Sequence, residues 1–252
     1  MPAVVKVPGF YDGGSDYRVR FAPPFEGIWT YTTASNAKAL DGSKGSLVVT
    51  KPSASNHGPV LSNHFGLEFA DGTPHFSAGS TSYQWASMPL AMQAQTLRTL
   101  RDGQGDGQVF NKQRMTVFPK WYRNNHQNPV EVGTAYEILP GSAAANASVW
   151  SCVGVDCPAT SGSFDFNRFN VSFWRNFERL VGEMQAMHVI ADIIVFHPYD
   201  TGHWGFDCMG GRHPSADEPY NTTHDNFYLK YLAARLSSYS NVWWAMANEW
   251  NL

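Results

Sequence analysis

The C-terminal third of the chain switches repeatedly between two hydrophobic periods, and that alternation limits its fold more than any other feature. From Val171 to His188, the residues Phe173, Phe177, Leu180, Val181, Met184 and Met187 follow the i, i+4, i+7, i+8, i+11, i+14 stripe of a core-facing helix, with Asn170 placed to cap it. The apolar run Val189 to Phe196 then reads as a buried strand. Asp225 to Tyr239 returns to helical spacing through Leu229, Leu232, Ala233 and Leu236. Asn241 opens a second apolar run, Val242-Trp243-Trp244-Ala245-Met246-Ala247, predicted as a parallel strand covered on both faces. Strand and helix in alternation imply a parallel sheet, and hence an α/β fold.

Two earlier segments extend the pattern. Gly79-Ser80-Thr81 leads into Tyr83, Gln84 and Trp85 and reads as a first strand with its exit loop. A helix is predicted from Pro89 to Arg101, with Leu90, Leu97 and Leu100 on one side, and the Gly-rich segment Asp102 to Gly107 ends it. Met115 to Tyr122 is the second strand, stopped by Pro119 so that Lys120, Trp121 and Tyr122 project from its end. Residues 123–163 are polar and rich in Ala and Gly and read as a long insertion over the same rim. The third strand ends in His197-Pro198-Tyr199-Asp200, followed by Trp204, and the fourth in Asn248-Glu249. A buried strand that only packs has no use for such groups at its exit. The C-terminal rim of a parallel barrel, which binds and transforms ligands, does.

The N-terminal part follows a different rule. Tyr17, Val19 and Phe21 alternate with Arg18 and Arg20, which predicts a strand with one wet face. Trp29 and Tyr31 repeat the pattern after a Pro- and Gly-rich turn, and Leu47 to Thr50 is a third run. Lys51 to Pro59 has the composition of a linker, and Leu67-Glu68-Phe69 with His75-Phe76 reads as a short hairpin beyond it. A few short strands with turns between them point to a β-sandwich with its first strands lacking.

Composition narrows the partners. With 43% hydrophobic residues the chain can bury a core, while a formal charge of -3 and 18 Lys and Arg without a basic run argue against nucleic acid and against an anionic membrane surface. Nine Trp and 14% aromatic residues lean towards carbohydrate, whose C–H faces pack on aromatic rings, although an aromatic core explains most Trp in most proteins. No apolar stretch is long enough to span a bilayer, and the N-terminus lacks the hydrophobic region of a signal peptide. Three sequons, at Asn146, Asn170 and Asn221, would be usable in a secreted protein, and an extracellular location is expected. Cys152 and Cys157 could pair, which leaves Cys208 odd, and no zinc-ligand spacing is present.

Four blocks then carry a resemblance: Phe164 to Asn170, Phe173 to Glu178, Ala191 to Asp200, and Asn241 to Glu249. They resemble a group of glycosidases with an apiosidase-like (β/α)8 domain behind an Ig-like sandwich. Gly9 to Gly13, Tyr17 to Phe21, Gly27 to Tyr31 and Asn56 to Pro59 are similar to the later part of that sandwich. The resemblance implies a partial all-β Ig-like sandwich at 1–52, a linker at 53–60 and, at 61–252, the first half of a (β/α)8 TIM barrel with about four strands. It implies a retaining glycoside hydrolase acting on a plant or microbial polysaccharide or oligosaccharide, without cofactor or metal. Glu249 is then the general acid/base and Asn248 the ligand of the sugar 2-hydroxyl, with Tyr83, Trp85, Lys120, His197, Tyr199, Asp200 and Trp204 expected to line the substrate site. Trp250 and His188 depart from the family pattern, His188 standing where a helix-ending Gly is usual.

The nucleophile of such enzymes is a second carboxylate at the end of strand seven, about 5–5.5 Å from the acid. A whole barrel takes about 250 residues, more than 61–252 supplies, so the chain is expected to be a fragment, inactive alone. Two other classes stay open. A carbohydrate-binding barrel would keep the aromatic rim without needing an acid at 249. A metal-dependent hydrolase could draw on His197, Asp200, His203 and His213, although no HxH or HExxH spacing appears.

Overall fold

The computed structural model describes residues 4–103, 105, 107–119, 132–142, 164–196 and 222–248. Met1–Arg20 with Phe76–Leu252 form one compact unit and Phe21–His75 another. In the first unit a short antiparallel pair opens the chain, β1 (Phe10–Tyr11) with β2 (Tyr17–Arg18). The second unit contains the hairpin β3 (Gly27–Thr32) with β4 (Lys44–Val49) and the meander β5 (Val60–Asn63), β6 (Gly66–Phe69) and β7 (Pro74–His75). The hairpin predicted around 67–76 is therefore present, with a third strand added to it. The two sheets are separate, and among residues 21–75 only His75 is buried. Ile28 and Val48, which a closed sandwich would cover, are 77% and 70% exposed.

Returning to the first unit, a parallel sheet follows from β8 (Gly79–Thr81), helix α1 (Leu90–Asp102) and β9 (Lys112–Thr116). β10 (Tyr136–Ile138) pairs antiparallel with β11 (Phe164–Phe169), after which come α2 (Val171–Ala186), β12 (Ile190–Phe196), α3 (Thr222–Leu236) and β13 (Val242–Ala247). The sheet order is β13-β12-β9-β8, all parallel. The molecule is thus mixed α/β, with small antiparallel sheets and a four-stranded parallel sheet with helices.

The core lies between that sheet and its helices. Phe173, Trp174, Phe177, Leu180, Val181 and Met184 of α2 are fully buried and share one cluster with Met115, Ala191, Ile193 and Val195. Each such side chain contributes roughly 1.5–3 kcal/mol on leaving water. Asn170 caps α2 as expected, accepting from the Phe173 N–H at 3.2 Å, so this sequon asparagine has a structural role. The helix ends with His188 at φ 56°, while the Val189 N–H donates to the Met184 carbonyl at 2.8 Å. A left-handed residue closing a helix favours Gly, which has no Cβ to clash. His188→Gly should therefore raise stability by about 1 kcal/mol in urea unfolding; an unchanged or lower value would show that the His side chain compensates the strain.

Several expectations are corrected. β9 lies at 112–116, N-terminal to the predicted Met115 to Tyr122, and Val117 and Phe118 follow it as buried residues. In α1 the buried set is Gln93, Leu97 and Leu100, while Leu90 is 61% exposed. Gln93 can replace an apolar residue because its amide donates to the carbonyls of Ala86 and Met88 and accepts from Arg179. In α3 the buried residues are Asp225, Tyr228, Tyr231, Leu232, Ala234, Arg235 and Leu236, with Ala233 exposed, because a buried arginine and two tyrosines occupy the core face. The insertion at 123–163 contains a strand, β10, whose Tyr136 is buried. β13 is not covered on both faces. It lies at the edge of the described sheet, with Trp244 and Met246 exposed.

The arginines near the N-terminus are paired, not free in water. Tyr17, Arg18 and Val19 are all exposed and Arg20 is half-buried. Arg18 pairs with Asp12 at 2.7 Å and Arg20 with Glu178 of α2.

Candidate functional site

Because β8, β9, β12 and β13 are parallel and in one sheet, their C-terminal ends lie along one edge. Tyr83 follows β8, Val117 to Pro119 follow β9, Phe196 ends β12 and Asn248 follows β13. Hydrogen bonds tie these exits together. The Thr116 N–H and hydroxyl both donate to the Tyr83 carbonyl, at 2.7 and 2.6 Å. Val117 N–H donates to the Ile194 carbonyl at 3.3 Å, and Asn248 N–H to the Phe196 carbonyl at 3.1 Å. Asn248 is itself 8% exposed.

Alternation along the strands separates two faces of the sheet. Met115, Ile193 and Val195 pack in the core with the helices. The opposite face carries Thr81, Arg114, Asp192 and Trp243, which stand side by side as cross-strand partners. Asp192 is 5% exposed in the middle of an otherwise apolar strand. A carboxylate taken out of water there needs charged partners. It has two: the Arg114 Nη1 donates to Oδ2 at 3.2 Å, and the Lys112 Nζ lies 3.7 Å from the same oxygen. The second arm of the guanidinium, Nη2, donates to the Asn248 Oδ1 at 3.1 Å. Lys112 also lies 5.7 Å from the ring centre of Trp243. Gly79 makes room for it, since a Cβ at that position would meet the Lys112 Cε at 2.7 Å. The edge of the sheet therefore holds Asn248 from below through an Arg114–Asp192 pair.

Of the residues expected to line the site, Tyr83, Trp85 and Asn248 are described. Tyr83 is half-buried after β8, and Asn248 is buried after β13. Trp85 is fully buried in a short 3-10 turn, Trp85–Ser87, so its ring belongs to the core, not to an open stacking surface. The apolar area of an indole is large enough that the fold covers it wherever α1 and α2 can reach. Lys120, His197, Tyr199, Asp200, Trp204 and Glu249, with His203 and His213 of the metal alternative, lie outside the described residues, as do Cys152, Cys157 and Cys208. Among the described residues no group of three His, Cys, Asp or Glu could hold a metal ion, and no helix is long and apolar enough to cross a membrane.

Sequence reasoning missed Arg114, Lys112 and Asp192. The signal was available: a lone carboxylate inside Ile190 to Phe196 has to be neutralised, and two cations two residues apart in the preceding strand share one face.

Residues 2–36 match the model of a family described as a domain of unknown function, DUF5060. No curated protein matches the chain. Among solved structures, one described as "a putative glycoside hydrolase from Bacteroides vulgatus" is 35% identical with a TM-score of 0.77 over 97% of this chain. A glycoside hydrolase family 5 structure from the same organism is 14% identical, with a TM-score of 0.45 over 77% of this chain and 33% of its own. The chain spans 42% of the length of the first of these proteins. The fold described above is structurally similar to that protein and matches part of a glycoside hydrolase fold.

Proposed function

We propose that the protein is a retaining glycoside hydrolase of polysaccharide or oligosaccharide O-glycosyl bonds, with Glu249 as general acid/base and Asn248 as ligand of the sugar 2-hydroxyl. In this reading the sheet is the first half of a (β/α)8 barrel, preceded by part of an Ig-like sandwich. Tyr83, Lys120, His197, Tyr199, Asp200 and Trp204 line the substrate, and a second carboxylate is the nucleophile. The observation that supports it most is the common edge on which four parallel strands end, with Asn248 held there immediately before Glu249.

The chemistry follows from two carboxyl groups. The nucleophilic carboxylate attacks the anomeric carbon while Glu249 gives its proton to the leaving oxygen, so one C–O bond forms as the other breaks. Water then attacks the same carbon as Glu249 takes its proton, and the glycosyl ester is released. A neighbouring negative charge and partial burial keep such an acid protonated near neutral pH. Two displacements at one carbon return the original configuration.

The test is the anomeric configuration of the first-formed product, followed by proton NMR with the full-length protein and a panel of aryl glycosides. Retention is expected, with a rate unchanged by a strong chelator. Inversion, or a turnover that requires added metal ion, would rule the reading out.

A further inference from the structure

Resting on that reading, we infer that Arg114, anchored by Asp192, is the positioning residue that sets the orientation of the Asn248 amide towards the sugar. Guanidinium nitrogens only donate hydrogen bonds, so the atom of Asn248 that meets Nη2 at 3.1 Å has to be the carbonyl oxygen. This fixes one of two amide orientations that the backbone alone leaves equivalent. The amide nitrogen, its only donor, is turned away from Nη2. A sugar hydroxyl can receive a hydrogen bond only from that nitrogen.

The guanidinium is itself held. Nη1 donates to Asp192 at 3.2 Å, and the Asp192 side chain is 7% exposed against 31% for Arg114. A planar fork with one arm on each partner transmits direction as well as charge, which an ammonium cannot do. Lys112, at 3.7 Å from Asp192, keeps that carboxylate compensated if Arg114 is replaced. The Arg114 guanidinium meets Asp192 and Asn248. It acts through Asn248.

The experiment compares the full-length wild type with Arg114→Lys and Arg114→Met on a cleaved aryl glycoside and on its 2-deoxy counterpart. Arg114→Lys keeps a cation beside Asp192 and carries the test should Arg114→Met unfold. A contact that strengthens in the transition state shows in kcat more than in KM. The expected result is a loss of about 10²-fold in kcat on the 2-hydroxy substrate, little change in KM, and a 2-deoxy penalty much smaller than that of the wild type. A merely structural role would lower both substrates alike and leave the penalty intact, which would overturn the inference. Glu249→Gln is run beside them. Should it be inactive while both Arg114 variants keep the wild-type penalty, only the inference falls; should it be fully active, the functional reading falls with it.

Discussion

Asp12→Asn should cost about 3–5 kcal/mol of unfolding free energy. Asp12 is 2% exposed and sits among Arg18, Arg175 and Arg235. Arg235 is fully buried on α3. It pairs with Asp12, lies 3.0 Å from the Glu178 Oε2 through Nε, and donates from Nη1 to the Tyr231 hydroxyl at 2.8 Å. Arg20 also pairs with Glu178, and the Tyr231 hydroxyl donates to the Tyr11 carbonyl at 3.0 Å. Four arginines thus share two carboxylates. Removing one carboxylate, even by an isosteric amide, leaves the excess positive charge facing a single anion. Arg235→Met removes a cation from an already cationic cluster and should cost less. Urea unfolding of both variants gives the order; the reverse order would contradict this balance of charges.

The same network makes stability depend on pH in a defined direction. Burial raises the Asp12 pKa, but hydrogen bonds and charge from Arg235 and then Arg175 outweigh it and hold the carboxyl below its ordinary value. A lowered folded value means that the contribution is complete above the unfolded pKa of about 4 and is lost as pH falls through the folded one. The N-terminal segment is fastened to α2 and α3 by charge. Acid is what loosens it.

How much of this was legible follows from what each signal measures. The α2 stripe, its cap at Asn170 and the strand after it came directly from period and capping chemistry, because a single buried face dictates both. The four parallel strands and their common edge were expected and are present. Periodicity failed where a polar residue took a core position. Gln93, Arg235 and Asp192 are buried because partners far along the chain satisfy them, and spacing along one element carries no record of those partners. It failed again at β13, where burial is set by neighbouring elements and not by the apolar character of the run. At the site, Asn248 was read from the sequence but its hold by Arg114 was not.

Glu249→Gln is the second large effect expected. A positioned general acid contributes roughly 10²–10⁴-fold, and glutamine has the same shape without a proton to give. The loss has to depend on the leaving group. A phenol that leaves readily as its anion needs little protonation, whereas an alcohol or weakly acidic phenol cannot leave without it. A residue that only supports the fold would slow all substrates by one factor.

The measurement that tests the account most directly is kcat/KM of full-length wild type and Glu249→Gln across aryl glycosides graded in leaving-group acidity. The account predicts a deficit within about 10²–10⁴-fold for the poorest leaving groups, shrinking steadily as the phenol becomes more acidic. Equal rates for the two proteins, or one constant deficit across the series, would remove Glu249 as the acid and contradict the proposed function.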